Sequence, residues 1–144
     1  MAGVSDRIAR AVAALPLRPG LRVLEIGCGP GVAAREVARI VGPSGFVLGI
    51  DRSATAIAQA QRGSADEIAA GTLAFRTVPA EAFALLPDEA PFDFAFALRV
   101  GALDGRHSAA GALALPRIAA ALVPGGRLFI DAGDPLSELP LPPP

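Results

Sequence analysis

Lysine, tryptophan and tyrosine are absent from the 144 residues, and cysteine, methionine and histidine occur once each. A single cysteine excludes an internal disulfide framework. No apolar run approaches the roughly 20 residues of a membrane span. The formal net charge is −1, so composition gives no broad attraction to nucleic acid or to a membrane surface. At the N-terminus, Val4 to Leu15 puts Ile8, Ala11, Val12 and Leu15 on one helical face and Asp6, Arg7 and Arg10 on the other. A signal peptide has an unbroken apolar run there, so a cytoplasmic protein is expected. All thirteen basic residues are arginine, which with abundant alanine, proline and glycine suggests a GC-rich bacterial genome. The length suits one domain with its own core, expected over 1–135, followed by a Pro-rich mobile tail over 136–144.

What is present begins with Val23-Leu24-Glu25-Ile26-Gly27-Cys28-Gly29-Pro30-Gly31, an apolar strand entering a glycine-dense turn. A strand that turns sharply into a helix beside a ligand needs residues tolerant of positive φ and without a Cβ, which Gly27, Gly29 and Gly31 supply. The next segment spaces Ala33, Val37, Ile40 and Val41 as the inner face of a helix lying on a sheet. A second strand, Phe46 to Ile50, ends in Asp51, whose carboxylate can accept both hydroxyls of a ribose. The pattern describes a nucleoside pocket. A dinucleotide is disfavoured, because G-x-G-x-x-G requires a third glycine where Val32 stands. A nicotinamide-dependent oxidoreductase is therefore a weak alternative.

The E-x-G-x-G-x-G run resembles the first motif of the class I S-adenosylmethionine-dependent methyltransferases. Four later segments match in order: Gly49-Ile50-Asp51-Arg52-Ser53, Pro79-Ala80-Glu81-Ala82-Phe83, Phe92-Asp93-Phe94-Ala95-Phe96-Ala97-Leu98, and Leu122-Val123-Pro124-Gly125-Gly126-Arg127-Leu128. The resemblance implies S-adenosylmethionine as cofactor and S-adenosylhomocysteine as product. It puts Glu25, Gly27, Cys28, Gly29 and Gly31 at the methionine side, Asp51 on the ribose and Arg52 along the adenine. Ala80 gives its backbone N–H to the adenine, with Glu81 beside it, while Leu98 and Arg99 line the methionine end. Pro79 departs from the family, which often carries an acid there to accept from the adenine amino group; Glu81 is the residue placed to substitute.

Methyl transfer from a sulfonium proceeds by direct displacement, so holding the reactants in line can suffice without a dedicated base. No residue is assigned a catalytic role, and no metal is implied. His107 is the candidate base, the other reading being a solvated loop histidine before a helix. Asp131 and Asp134 end a strand near the pocket, where acids also serve as turn formers and caps. Cys28 meets a steric need for a small residue, with no histidine nearby in sequence to lower its pKa.

The coarse pattern alternates. An N-terminal helix is followed by strand Leu21–Ile26, helix Val32–Val41, strand Phe46–Ile50 and a helix capped by Ser53. Ser64-Ala65-Asp66-Glu67 reads as a capping box. Thr72–Thr77 and Phe92–Leu98 are strands, then a helix over about Ser108–Leu122, kinked or restarted at Pro116, precedes strand Arg127–Asp131. The expected fold is α/β, a Rossmann-like doubly wound sheet of about five mainly parallel strands with helices on both faces. In the resembled family an antiparallel pair of strands follows. Here few residues remain after Asp131, so strand five is expected to expose an edge open to a homodimer or a partner chain. Two functions stay open: methyl transfer to a small-molecule acceptor, and a non-catalytic S-adenosylmethionine-binding domain acting as a regulatory or assembly partner.

Overall fold

Five strands lie parallel in the order β3-β2-β1-β4-β5, with a sixth, β6, antiparallel at the edge. The computed structural model describes residues 4–143. Met1–Gly3, which open the expected domain, and Pro144, which ends the expected tail, lie outside the described residues. The strands are β1 (Arg22–Ile26), β2 (Phe46–Asp51), β3 (Leu73–Thr77), β4 (Phe92–Ala97), β5 (Leu122–Ile130) and β6 (Ser137–Leu139). The helices are α1 (Asp6–Ala14), α2 (Val32–Val41), α3 (Ala54–Gly63), α4 (Ala65–Ala69) and α5 (Ser108–Ala120).

Alternation along the strands divides the apolar residues between two faces. Val23, Val47, Phe94 and Phe96 pack with Ala11 and Val12 of α1 and with Ala34, Val37 and Val41 of α2. On the other face Leu24, Leu48, Ile50, Ala95 and Leu128 pack with Ala114 and Ile118 of α5 and with Phe83. A parallel sheet covered on both faces needs such near-continuous apolar runs. Phe94 and Phe129 meet edge to face, ring centroids 5.6 Å apart. Phe96 is fully buried, so Phe96→Ala is expected to cost about 3–5 kcal/mol in a denaturant melt. A loss under about 1 kcal/mol would contradict this packing.

Order β3-β2-β1 runs one way from the centre and β4-β5 the other. The connections therefore part between β1 and β4, and a crevice opens above their carboxyl ends. That is where the glycine turn and the end of β2 lie.

Five expectations change. Ile40, expected on the inner face of α2, is 40% exposed, and Ala34 and Ala38 are buried there instead. The tail expected to be mobile from 136 contains β6, whose Leu139, Glu138 and Ser137 pair with Leu128, Phe129 and Ile130. Leu139 and Leu141 pack on the α5-side core, and this burial outweighs the weak strand signal of a proline-rich segment. The edge of β5, expected to be exposed, is thus covered along Leu128–Ile130, which shifts the free edge outward to β6. Ser53 caps α3 as expected, accepting from the Ala56 N–H at 3.1 Å, but Ser64 makes no side-chain cap on α4. Its buried hydroxyl instead accepts from Arg35 Nη1 at 2.9 Å, a charge-assisted bond favoured over a cap. Finally, α5 continues through Pro116 without a restart.

Candidate cofactor site

The glycine turn closes tightly on β2. Asp51 is the clasp: its Oδ2 accepts from the Gly29 N–H at 2.9 Å and its Oδ1 from the Ser53 N–H at 2.9 Å. A carboxylate has about four lone-pair sites, so Asp51 can hold both turns and still accept from a ligand. Gly31 enters α2 with φ 87°, a left-handed conformation that bars most side chains. Gly27 offers no Cβ; one built there would stand 2.6 Å from Val100 Cγ2.

Beside this clasp lies a cavity of about 510 Å³, within the range of small-molecule sites. Its wall includes Gly27, Asp51, Arg52, Ala80, Glu81 and Arg99, all assigned to the cofactor on the sequence. Arg52 Nη2 lies 3.7 Å from Glu81 Oε1, so the two residues flank the opening between the end of β2 and the turn at Ala80–Ala82. His107 also lines the cavity, an exposed turn residue at the N-cap position just before α5 with its ring beside Gly101. Sequence reasoning missed Val78, Val100 and Ala102 of the wall, apolar residues of connecting loops whose pattern carries no motif.

The other five assigned residues do not form this wall. Leu98 turns into the α1/α2-side core, because the pleat sends it to the face of Phe94 and Phe96. Gly29 and Gly31 shape the turn behind the wall. The Cys28 side chain is buried against Gly49. Its thiol is pushed far up by burial and then by the Glu25 and Asp51 charges, which leaves it inert as a nucleophile.

Glu25 lies beneath the turn, 3% exposed, and its Oε1 has no hydrogen-bond partner. Burial and then the Asp51 charge raise its pKa well above the ordinary carboxyl range, only partly opposed by the Ala34 backbone. The folded chain therefore binds this proton more tightly than the unfolded chain. The Glu25 contribution is full below the unfolded pKa and is lost as pH rises through the folded one. Glu25→Gln is expected to raise the melting temperature at pH 7 relative to pH 4.5, measured against wild type. An equal difference at the two pH values would contradict the raised Glu25 pKa.

The cofactor implied by the motifs can be tested against this chemistry. A nucleoside with a short polar arm needs a ribose acceptor, an approach free of Cβ atoms and a polar partner beneath the turn. Asp51 supplies the first and Gly27 the second, while Glu25 lies buried behind the wall with one oxygen unpartnered. Among the described residues no group of acids, histidines and cysteines is placed to hold a metal, and no helix is long and apolar enough to cross a membrane.

Comparison with known proteins agrees. A methyltransferase domain family model matches residues 17–142. The chain is 38% identical over 128 residues to a protein-L-isoaspartate O-methyltransferase of Methylorubrum populi, covering 89% of this chain and 52% of that protein. It is 34% identical over 133 residues to a trans-aconitate 2-methyltransferase of Methylobacterium nodulans, covering 88% and 44%. The chain thus spans about half the length of these relatives. Among solved structures, a Geobacter sulfurreducens methyltransferase in complex with S-adenosyl-L-homocysteine superposes with a TM-score of 0.65 at 27% identity, covering 88% of this chain and 47% of that one. The chain belongs to the methyltransferase domain family, in its class I S-adenosylmethionine-dependent group.

Proposed function

We propose that the protein transfers a methyl group from S-adenosylmethionine to a small-molecule acceptor. The observation that carries this reading is the convergence of Gly27, Asp51, Ala80 and Glu81 on one cavity at the parting of β1 and β4. When bound, the donor supplies an activated methyl on a sulfonium. The chain's own residues hold and orient. Asp51 takes the ribose hydroxyls with the lone pairs left over from Gly29 and Ser53, and the Ala80 N–H meets the adenine. Arg52 and Glu81 close its edge. The apolar wall from Val78, Val100 and Ala102 keeps water from the reacting atoms, which strengthens every polar contact there.

The acceptors named for the relatives differ, isoaspartate in one and trans-aconitate in another, so likeness alone selects none. Soluble extracts of bacterial cells, incubated with the protein and methyl-tritiated S-adenosylmethionine, test the reading. Label appearing in a small-molecule fraction is expected. A chain that binds S-adenosylhomocysteine yet labels no such fraction would contradict it.

A further inference from the structure

A second cleft, of about 620 Å³, adjoins the cofactor cavity and shares Arg99 with it. Three distant segments build it: the first turns of α1, the loop after β4 and the end of β5. It carries four arginines, Arg7, Arg10, Arg99 and Arg106. Three are engaged. Arg7 Nη1 lies 3.4 Å from Asp131 Oδ2, Arg10 Nη2 3.2 Å from Asp134 Oδ1, and Arg106 Nη2 2.9 Å from Asp104 Oδ2. Among the described residues, the Arg99 guanidinium alone of the four has no carboxylate partner.

The backbone of Arg99 is also unusual. Its φ of 55° makes it, among the described residues, the non-glycine residue in the left-handed region, which costs on the order of 1 kcal/mol. Both of its peptide groups are tied down. Its N–H donates to Asp131 Oδ1 at 2.9 Å, and its carbonyl accepts from Arg106 Nη2 at 3.0 Å. Asp131 is thus occupied by Arg7 and by the Arg99 backbone, and Asp104 by Arg106. Asp131 and Asp104 are engaged in fixing its main chain, and among the described residues Asp6 and Asp134, which also border the cleft, make no ion pair with it. The result is an uncompensated guanidinium held where the two cavities meet.

We propose that this second cleft is the acceptor site and that Arg99 there receives a small carboxylate. The inference rests on the methyl-transfer reading. A planar guanidinium suits a carboxylate through paired hydrogen bonds. Such an acceptor arrives already ionised at neutral pH, so no base is required. A carboxylate oxygen lone pair forms the new O–CH₃ bond as the S–CH₃ bond breaks. The electron pair passes to sulfur, leaving a methyl ester and a neutral thioether, with no proton to place. Arg99 holds the acceptor through its paired hydrogen bonds while a remaining lone pair on one oxygen reacts.

The test is a calorimetric titration at fixed ionic strength, with and without saturating S-adenosylhomocysteine. The probes are acetate, succinate, citrate and benzoate, with succinamide as a neutral control. At least one carboxylate is expected to bind the loaded protein and succinamide not to bind. Arg99→Gln should weaken that carboxylate about tenfold, a larger loss than it causes in S-adenosylhomocysteine affinity, since Arg99 borders both cavities. Because Arg99 is exposed, the variant should fold; Arg10→Gln, which loses only an exposed pair, should have a smaller effect. Carboxylates that fail to bind, or that bind Arg99→Gln equally well, would overturn the inference. So would an Arg99→Gln variant that loses S-adenosylhomocysteine and keeps the carboxylate, since Arg99 would then serve the donor. Wild type that binds a carboxylate without S-adenosylhomocysteine, and never binds the latter, would instead count against the methyl-transfer reading.

Discussion

Replacing Asp51 by alanine is expected to weaken S-adenosylhomocysteine binding about hundredfold. Hydrogen bonds to a charged group contribute roughly 1.5 kcal/mol or more each. Two ribose hydroxyls together give about 3 kcal/mol, or a factor of about a hundred. The same carboxylate also holds the Gly29 and Ser53 N–H groups, so part of any loss will come from a loosened turn. Comparing adenosine with 2′,3′-dideoxyadenosine separates the two effects. Wild type should prefer adenosine strongly, and Asp51→Ala should bind the two nucleosides alike. A variant that still discriminates between them would place the ribose elsewhere, whatever happened to its absolute affinity.

The second large effect concerns the turn itself. Gly31→Ala is expected to cost about 3 kcal/mol, lowering the melting temperature by about 10 °C in a chain of this size. About 1 kcal/mol of that is the left-handed backbone, at φ 87°. The rest is overlap. An added Cβ would meet Phe75 Cζ at 2.9 Å, Ala60 Cβ at 3.1 Å and Arg35 Nη1 at 3.1 Å. Overpacking of this kind typically costs 1–3 kcal/mol. Arg35 cannot easily withdraw, because Nη1 bonds both the Pro30 carbonyl and Ser64 Oγ. Gly29 offers the matched control: its φ is 53° and nothing lies within 4 Å of an added Cβ. Gly29→Ala should therefore lose only the backbone part, about 1 kcal/mol. Equal losses at the two positions, by thermal melt, would mean that Phe75, Ala60 and Arg35 do not press on the turn.

These two residues show what the chain reveals before it folds. Gly31 and Asp51 were legible because their roles are local: Asp51 ends the short apolar strand β2 and Gly31 opens α2 after the turn from β1, as turn geometry and strand direction require. The β1-turn-α2-β2 unit was readable on the same grounds, with helix and strand bounds displaced by a residue or so at α1, β1 and β2. β5 was read only in its last stretch, because Pro124-Gly125-Gly126 looks like a turn. In the fold that segment bulges within the strand, shifting the register between Phe92 and Phe94.

The rest is tertiary. β6 is three residues long in a proline-rich segment and exists because β5 offers it an edge and the core takes Leu139. Ser64 gives up a cap for Arg35, a partner 29 positions away. Leu98 belongs to the correct loop, yet the pleat turns it from the cavity to the core. The second cleft has no motif at all, since positions near 6, 99 and 131 become neighbours only when the sheet forms. Glu25 was legible as a motif residue, but its raised pKa was not, since that depends on its depth and on Asp51 nearby.

The central claim is that a nucleoside occupies the cavity between Asp51 and Ala80. The most direct measurement is a crystal structure of the chain with S-adenosylhomocysteine. The account predicts the ribose hydroxyls within hydrogen-bond distance of the Asp51 carboxylate and the adenine beside the Ala80 N–H. S-adenosylhomocysteine seated away from Asp51, or a folded chain that takes up none at millimolar concentration, would contradict it.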